Sequence, residues 1–381
     1  MKLQKKLRET LYRLRTEGGS PGRVAAAVGL GVFIGCSPFW GFHIILCLFI
    51  ARLLRLNRVL TALASHISFP GFSLLVLWAE VEIGRWLRSA PLLSVHSFRA
   101  DDLWHLLWWR QFGFDVVVGS FVLGPVLAVA FAVPTYWIAL RRSREPERNA
   151  LLEEAAFCYL GTGLLNWEFV RGKLRHDPVY FHLLRPGVLP LKPGGHLLDL
   201  GCGRGIVFAL LLAARGRAER GEYPAVWGSP PPALRFYGIE ERAKAVAVAC
   251  QALGADAHIE ADDLCTAPLP PADAVLLLDV LHYLPAAAQE ALLARIAATL
   301  APGGLLLLRD ADAAGGWRFT ATRLQERLSA LARRHWRQRF HYRSRGAWSR
   351  LLENLDFEVM DDEPMGKGTP FANVLLTARK R

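Results

Sequence analysis

The chain has 381 residues, 52% of them hydrophobic, and a formal net charge of +12. That length exceeds a typical single domain and suffices for two. Its six cysteines include no Cys-x-x-Cys, which excludes a spacing-defined zinc site or disulfide framework and fits a reducing compartment.

Residues 1–16 place Leu3, Leu7, Leu11 and Leu14 at helical spacing among Lys2, Lys5, Lys6, Arg8, Arg13 and Arg15, the pattern of a basic interfacial helix. No cleavable signal is read here, because the first apolar run starts late and lacks a small-residue cleavage site. Three runs without any charged residue follow, at 24–51, 59–79 and 116–140. Each is long enough on paper to cross a bilayer, which takes ~20 residues.

The first run is interrupted by "GCSPFWGFH", where Pro38 and its flanking glycines break a helix. A re-entrant hairpin followed by two spans keeps the basic clusters before Arg23, at Arg52–Arg58 and after Arg141 on the inside. The mixed-charge stretch 80–115 then lies outside. Three full spans would put the C-terminal half on the other side. His43 and His66 lie inside apolar runs without a carboxylate partner, so they read as backbone-capped or interfacial. Trp104, Trp108 and Trp109 in "WHLLWWR" suit an interfacial belt. Residues 1–145 resemble a bacterial membrane-domain family of unknown function, on "GVFIGCSPFWGFH" and "ASHISFPGF". The resemblance implies a bacterial inner-membrane location and no chemistry.

After the linker "RRSREPERNA" the composition turns globular. Residues 151–190 read as helices, and strands are expected at 196–200, 235–239, 274–279 and 304–309. Helices at 242–253 and 286–300 alternate with them, and a helix and two closing strands end the chain. Apolar strands such as "AVLLLD" and "GLLLLR" need a parallel sheet covered on both faces. An all-α membrane domain over 1–145 is thus followed by an α/β domain over 146–381.

The first strand runs into "LLDLGCGRG". Gly201, Gly203 and Gly205 allow close approach of backbone to a ligand. Residue 206 is Ile, so this is not the dinucleotide fingerprint. Asp199 would repel a pyrophosphate and welcome an ammonium. Glu240, in "YGIEE", suits ribose hydroxyls at a strand's carboxyl end. Asp262, in "IEADDL", is placed to accept from an adenine amino group, with Asp263 beside it as the alternative. Asp279, His282 and Tyr283 reach the sheet's mouth in "LLLDVLHYL". Amine, ribose and adenine together describe S-adenosylmethionine.

From about residue 150 the chain resembles class I S-adenosylmethionine-dependent methyltransferases, on "LDLGCGRG", "YGIEE", "ADD", "LLLDVLHYL" and "LAPGGLLLLRD". The resemblance implies a Rossmann-like seven-stranded sheet. Asp199, Gly201, Cys202 and Gly203 would bind the methionine part, Glu240 the ribose (unless Glu241 takes its place), Asp262 or Asp263 the adenine, and Asp279 the methionine end through its backbone. "FVRGKLRHDPVYFHLL" and "PMGKGTPFANVLL" resemble a subgroup associated with aryl-polyene pigments, which implies a hydrophobic aromatic or polyene acceptor.

A hydroxyl acceptor would benefit from a general base. His282 is the first candidate, with packing or cofactor contact as the other reading of it. His176, beside Asp177, and His341 follow. No acidic cluster recommends a metal. Residues 318–350 hold ten Arg and a single acid, Glu326. That basic cover could grip an anionic acceptor, lie on anionic lipid or face solvent. Membrane tethering and the lack of an RNA module make nucleic acid an unexpected partner. The expected protein is a membrane-anchored methyltransferase, its catalytic domain cytoplasmic, acting on a small hydrophobic or lipid-like acceptor by O-methylation. The rivals are a non-catalytic membrane assembly protein that keeps the cofactor fold, and a nicotinamide-dependent reductase.

Overall fold

Pro38 and Gly41 break the first apolar run, and the two halves are short helices. The computed structural model describes residues 20–39, 41–68, 70–87, 106–143, 145–332, 337–366 and 368–381. The basic segment 1–16 and Trp104 lie outside these, as do the side chains of Trp108 and Trp109. The chain divides into two units, Met1–Pro146 and Glu147–Arg381.

In the first unit α1 spans Pro21–Gly35 and α2 His43–Leu53. Pro21 sits in the first turn of α1, where a missing N–H costs nothing. Helix α3 spans Arg58–Ala64, and its Asn57 cap accepts from Leu60 N–H at 2.9 Å. Helix α4 spans Pro70–Leu87 and α5 Leu106–Ser143. Within α5, Phe112–Arg141 is long and apolar enough to cross a membrane. His43 Nε2 and His66 Nδ1 each lie 2.9 Å from a backbone carbonyl, of Ser37 and Ala62 respectively.

The second apolar run departs from expectation. Residues 59–79 do not form one span: α3 ends at Ala64, a 3₁₀ turn occupies Ser65–Ser68, and a new helix starts at Pro70. Pro70 lacks the N–H that would continue the earlier helix. Helix α4 then runs on through Glu80, Glu82 and Arg85, residues expected in a loop. Glu80 and Asp115 are only 4% and 3% exposed. The cause is glycine. A Cβ on Gly119 would fall 1.8 Å from the Glu80 carbonyl oxygen, and one on Gly84 would fall 2.2 Å from that of Asp115. Small residues thus let the two helix backbones touch, as in packed membrane helices.

The second unit opens with α6 (Pro146–Phe157), α7 (Leu164–His176) and α8 (Pro178–His182). Alternating strands and helices follow: β1 (His196–Leu200), α9 (Ile206–Glu219), β2 (Arg235–Glu240), α10 (Ala243–Leu253), β3 (His258–Ala261), β4 (Ala272–Leu278), α11 (Ala286–Thr299) and β5 (Leu300–Ala311). Helices α12 (Trp317–Ala332) and α13 (Arg345–Asn354) precede β6 (Phe357–Pro364) and β7 (Asn373–Lys380). The seven strands order as β3-β2-β1-β4-β5-β7-β6. Strands β1 to β5 are parallel, while β7 is antiparallel to both β5 and β6.

This is the Rossmann-like seven-stranded sheet expected. Strand β5 is longer than expected because its first residues pair with β4 before the bulge at Ala272/Ala274. Apolar strand faces pack against α11 and α13 through Leu277, Leu292, Ile296, Leu308, Trp348 and Leu352. The strand order reverses between β1 and β4, which opens a crevice at their carboxyl ends.

Gly119→Val should drive α4 from α5, at a cost of at least ~1–3 kcal/mol. The expected readout is a lower aggregation midpoint for the detergent-solubilised full chain, while Gly113→Val, with nothing within 4 Å of its added Cβ, leaves the midpoint unchanged.

Candidate functional site

The turn after β1 holds three successive left-handed glycines, Gly201 (φ +77°), Gly203 (+60°) and Gly205 (+69°). Their roles differ. A Cβ on Gly201 would fall 2.4 Å from Val280 Cγ2, and one on Gly205 2.7 Å from Leu253 Cδ1. Those two glycines serve packing. A Cβ on Gly203 would meet only Arg242 Nη2 at 3.8 Å and Glu240 Oε2 at 4.0 Å, so this position is not filled by packing. From behind, the Tyr159 hydroxyl donates to the Arg204 carbonyl at 2.6 Å, and Arg204 lies 3.9 Å over the Phe169 ring.

Cys202 is buried with its sulfur against Gly238, where a Cβ would be 2.7 Å away. Its thiol therefore belongs to the β1–β2 packing, and only its backbone faces the turn. Burial pushes that thiol well above the usual range, with Asp199 and Glu240 adding to the shift.

Asp199 is 3% exposed, and no hydrogen bond or ion pair reaches its carboxylate among the described residues. Burial, with the Glu240 charge adding, pushes its carboxyl up to about 7. An unpaired buried carboxylate is unfavourable unless a cation completes it. Glu240 ends β2 with Oε2 accepting from Gly203 N–H at 2.9 Å, and Oε1 accepting from Arg242 N–H (3.0 Å) and Nε–H (2.7 Å). Glu241 is exposed, so the buried acid at the strand end is Glu240. The two acids after β3 also separate. Asp263 caps a turn, accepting from Cys265 N–H at 2.9 Å while its carbonyl accepts from Thr266 and Ala267. Among the described residues Asp262 accepts only the neighbouring Asp263 N–H, at 2.8 Å, and keeps acceptor capacity to spare. The buried unpaired acid, the open Gly203 and the acid pair beside it fit an ammonium-bearing nucleoside.

Asp279 follows β4 in the left-handed region at φ +59°, a strained position for a residue with a Cβ. Arg309 of β5 holds it there. Arg309 Nε donates to Asp279 Oδ1 at 2.9 Å and Nη2 to Asp177 Oδ2 at 2.9 Å. Burial opposes the guanidinium charge, but the two carboxylates outweigh it and push Arg309 further up. Burial likewise works against the Asp177 carboxylate, and Arg309 outweighs it and holds that carboxyl below its usual range.

Beyond this clamp lies a cavity of about 470 Å³. Its wall includes Phe169, His176, Asp177, Asp279, His282, Asp310, Thr322, Glu326, Tyr342 and Phe371. His282 Nδ1 sits 2.7 Å from Asp310 Oδ1, and Asp310 Oδ2 accepts the His282 backbone N–H at 2.9 Å. Both side chains are buried, yet His282 Nε2 has no partner. Burial disfavours the charged ring, but Asp310, aided by Asp279 and Glu326, outweighs it and raises the pKa. Tyr342 stacks on His282 at 5.4 Å between ring centres, and its buried hydroxyl also lacks a partner. His282 thus lines the cavity with its ring held from behind by Asp310, while its Nε2 is enclosed without a partner among the described residues.

Of the other histidine candidates, His176 lines the cavity but is exposed, and His341 contributes only backbone, donating its N–H to the His282 carbonyl. Among the described residues, no arginine of the basic segment lines the cavity; α12 turns Thr322, Gln325 and Glu326 inward instead. Five lining acids face Lys173 and the already clamped Arg309, so the lining does not favour an anionic acceptor. Asp310, Arg309, Tyr159 and Tyr342 were not read as site residues from sequence. The one available signal was an Arg-Asp pair ending an otherwise apolar strand. No group of three or more His, Cys, Asp or Glu able to hold a metal occurs among the described residues.

Residues 4–148 match the family described as "Uncharacterized protein conserved in bacteria", and residues 167–361 match the family described as "Methyltransferase domain". Two curated relatives are carboxy-S-adenosyl-L-methionine synthases. That of Dichelobacter nodosus is 32% identical over 142 residues, 36% of this chain and 54% of the relative. That of Chromohalobacter salexigens is 31% identical over 125 residues, 32% of this chain and 41% of the relative. The matches therefore span about half or less of those relatives' length. Among solved structures, the magnesium protoporphyrin IX methyltransferase of Synechocystis with S-adenosylhomocysteine bound is 18% identical (TM-score 0.39; 57% of this chain, 88% of that one). The pyocyanin biosynthetic protein PhzM is 17% identical (TM-score 0.40; 56% of this chain, 58% of that one). The methyltransferase match covers more than half of the 381 residues. With the strand order and the glycine turn, it makes the chain a member of the class I S-adenosylmethionine-dependent methyltransferases, preceded by the conserved bacterial helical domain.

Proposed function

We propose that the protein is a membrane-anchored methyltransferase that methylates a hydroxyl of a small hydrophobic or lipid-like acceptor. S-adenosylmethionine supplies an electrophilic methyl group on a sulfonium. Asp199 takes the ammonium of the methionine part, the Gly201–Cys202–Gly203 backbone lies along it, Glu240 takes the ribose hydroxyls and Asp262 the adenine amine. Asp279 serves through its backbone, since Arg309 occupies its carboxylate. Arg242 would shift from Glu240 to make room, a small cost for a side chain 62% exposed.

The observation that carries the acceptor half is His282 on the cavity wall, its Nδ1 held by Asp310 and its enclosed Nε2 without a partner among the described residues, a partner that the acceptor hydroxyl would supply. His282 takes the hydroxyl proton as the oxygen attacks the methyl carbon, and Asp310 stabilises the imidazolium that forms. Tyr342 orients the acceptor oxygen. The protein otherwise works by alignment, because the sulfide leaving group departs neutral. Phe169, Tyr342 and Phe371 give the cavity aromatic walls that suit an aromatic or polyene acceptor. Helix α5 and the outward-facing Phe121, Val126, Val129 and Trp137 support a membrane anchor, and the basic residues following it at Arg141, Arg142, Arg144 and Arg148 favour a cytoplasmic catalytic unit. Anchoring raises the effective concentration of a membrane-dissolved acceptor.

His282→Ala should slow transfer of a radiolabelled methyl group to membrane-lipid extract by ~10²–10⁴-fold, with cofactor affinity unchanged. An unchanged rate would remove the base assignment, and no transfer by the wild type would favour a non-catalytic assembly protein.

The base must be neutral, so the rate falls as pH drops through a raised His282 pKa. Asp310→Asn should move that acidic limb to lower pH as well as lowering kcat. A purely structural role would leave the limb in place.

Cofactor affinity should depend on pH through Asp199, whose carboxyl lies near 7 and must be ionised to meet an ammonium. Titration calorimetry should find binding roughly eightfold weaker at pH 6 than at pH 7.5. Asp199→Asn should bind weakly at both.

A further inference from the structure

Helix α12 has an outer face that the methyl-transfer chemistry does not use. Trp317, Leu324, Leu328 and Leu331 are 69%, 59%, 56% and 45% exposed. On a 3.6-residue helix these four positions fall within an arc of about 60° and extend over ~21 Å. They form a continuous apolar ridge, which a water-facing helix does not keep without a use. Arg323 and Arg327 are exposed on one shoulder of the ridge, and neither forms an ion pair among the described residues. Arg318 stands on the other shoulder, 5.6 Å over the Trp317 ring. The only acid of the segment, Glu326, is turned to the opposite face, where it accepts from the Tyr283 hydroxyl at 3.1 Å.

We propose that α12 docks on an anionic lipid surface, its Trp and Leu ridge seated among the acyl chains and its arginines on the headgroup phosphates. The inference rests on the membrane location proposed above. Three features select lipid as the occupant. The ridge is one side chain wide, which suits the shallow ~5–10 Å insertion of an interfacial helix. Its borders are basic, matching the anionic cytoplasmic leaflet. Trp317 at the end of the ridge is the residue type that settles at headgroup level.

Docking there has a consequence for the active site. The inner face of the same helix places Thr322, Gln325 and Glu326 on the cavity wall. Gln325 is also exposed, so the cavity opens beside the ridge. A docked α12 holds that opening at the bilayer surface, where a hydrophobic acceptor enters without crossing water.

The test uses the full chain carrying Leu328→p-benzoyl-L-phenylalanine, reconstituted in phosphatidylcholine vesicles with or without phosphatidylglycerol. Photolysis should yield lipid adducts at position 328, far more with phosphatidylglycerol present. Arg323→Gln with Arg327→Gln should lower the docked-to-undocked ratio roughly thirtyfold, at about 1 kcal/mol per arginine. Adducts to the chain's own helical domain, adducts to a second copy, or equal lipid adducts in neutral vesicles would each overturn the proposal. Calorimetric S-adenosylmethionine binding on the same preparations separates the two readings. Failed cofactor binding with intact lipid adducts sinks the methyltransferase reading alone, and intact binding without lipid adducts sinks the docking alone.

Discussion

One buried guanidinium holds the catalytic unit's working end together. Arg309, 3% exposed at the end of β5, is shared by Asp177 and Asp279. Asp177 also caps α8, accepting from Val179 N–H at 3.2 Å, so the clamp joins the helical cap to the carboxyl ends of two central strands. Removing Arg309 would take the ion-pair partner from the half-buried Asp279 and leave Asp177 to Lys173 and the Val179 N–H alone, which is destabilising. The left-handed backbone at Asp279 persists because this pair and the Asp279 N–H bond to the Arg309 carbonyl over-determine it. The next residue in β5, Asp310, orients His282. Neighbouring side chains of one strand thus serve opposite purposes: one locks the scaffold, the other sets the proposed base.

The cofactor end follows a different logic. There the polar groups are held ready rather than saturated. Asp199 is buried without a partner among the described residues, and Glu240 is paired with an exposed Arg242. An acid proposed to take the cofactor's ammonium is thus left unsatisfied by the protein itself, and burial pushes its carboxyl up to about 7. The backbone of the turn is fixed from both sides, by Val280 and Leu253 packed against the glycines and by the Tyr159 hydroxyl on the Arg204 carbonyl. Rigidity in the turn and incompleteness in the acids together make a preorganised receptor.

The helical domain is governed by close backbone approach. Gly84 and Gly119 bring α4 and α5 together, and Gly31 and Gly35 admit the Thr61 and Ser65 carbonyls against α1. Large apolar side chains such as Phe49, Phe121 and Trp137 are left on the outside. That inverts the arrangement of a water-soluble bundle and supports the anchor proposed above.

Local features of this protein were legible in the sequence. The apolar strands, the helix break at Pro38, the glycine turn and the acids ending β1, β2 and β3 all depend on residues a few positions apart, where backbone preference and hydrophobic period decide. The sequence alone left Asp262 and Asp263 open, and treated three glycines alike. Only the tertiary structure showed that Asp263 is consumed by a turn and that Gly201 and Gly205 yield to packing. It likewise buried Glu80 against a distant glycine. The same holds for Asp310 with His282, 28 residues apart, and Arg309 with Asp177, 132 apart. The first exists because β5 lies beside β4 in the sheet, the second because the junction of α7 and α8 meets the carboxyl end of β5. Strand adjacency is a property of the whole folded chain, set by how all the apolar faces are buried together.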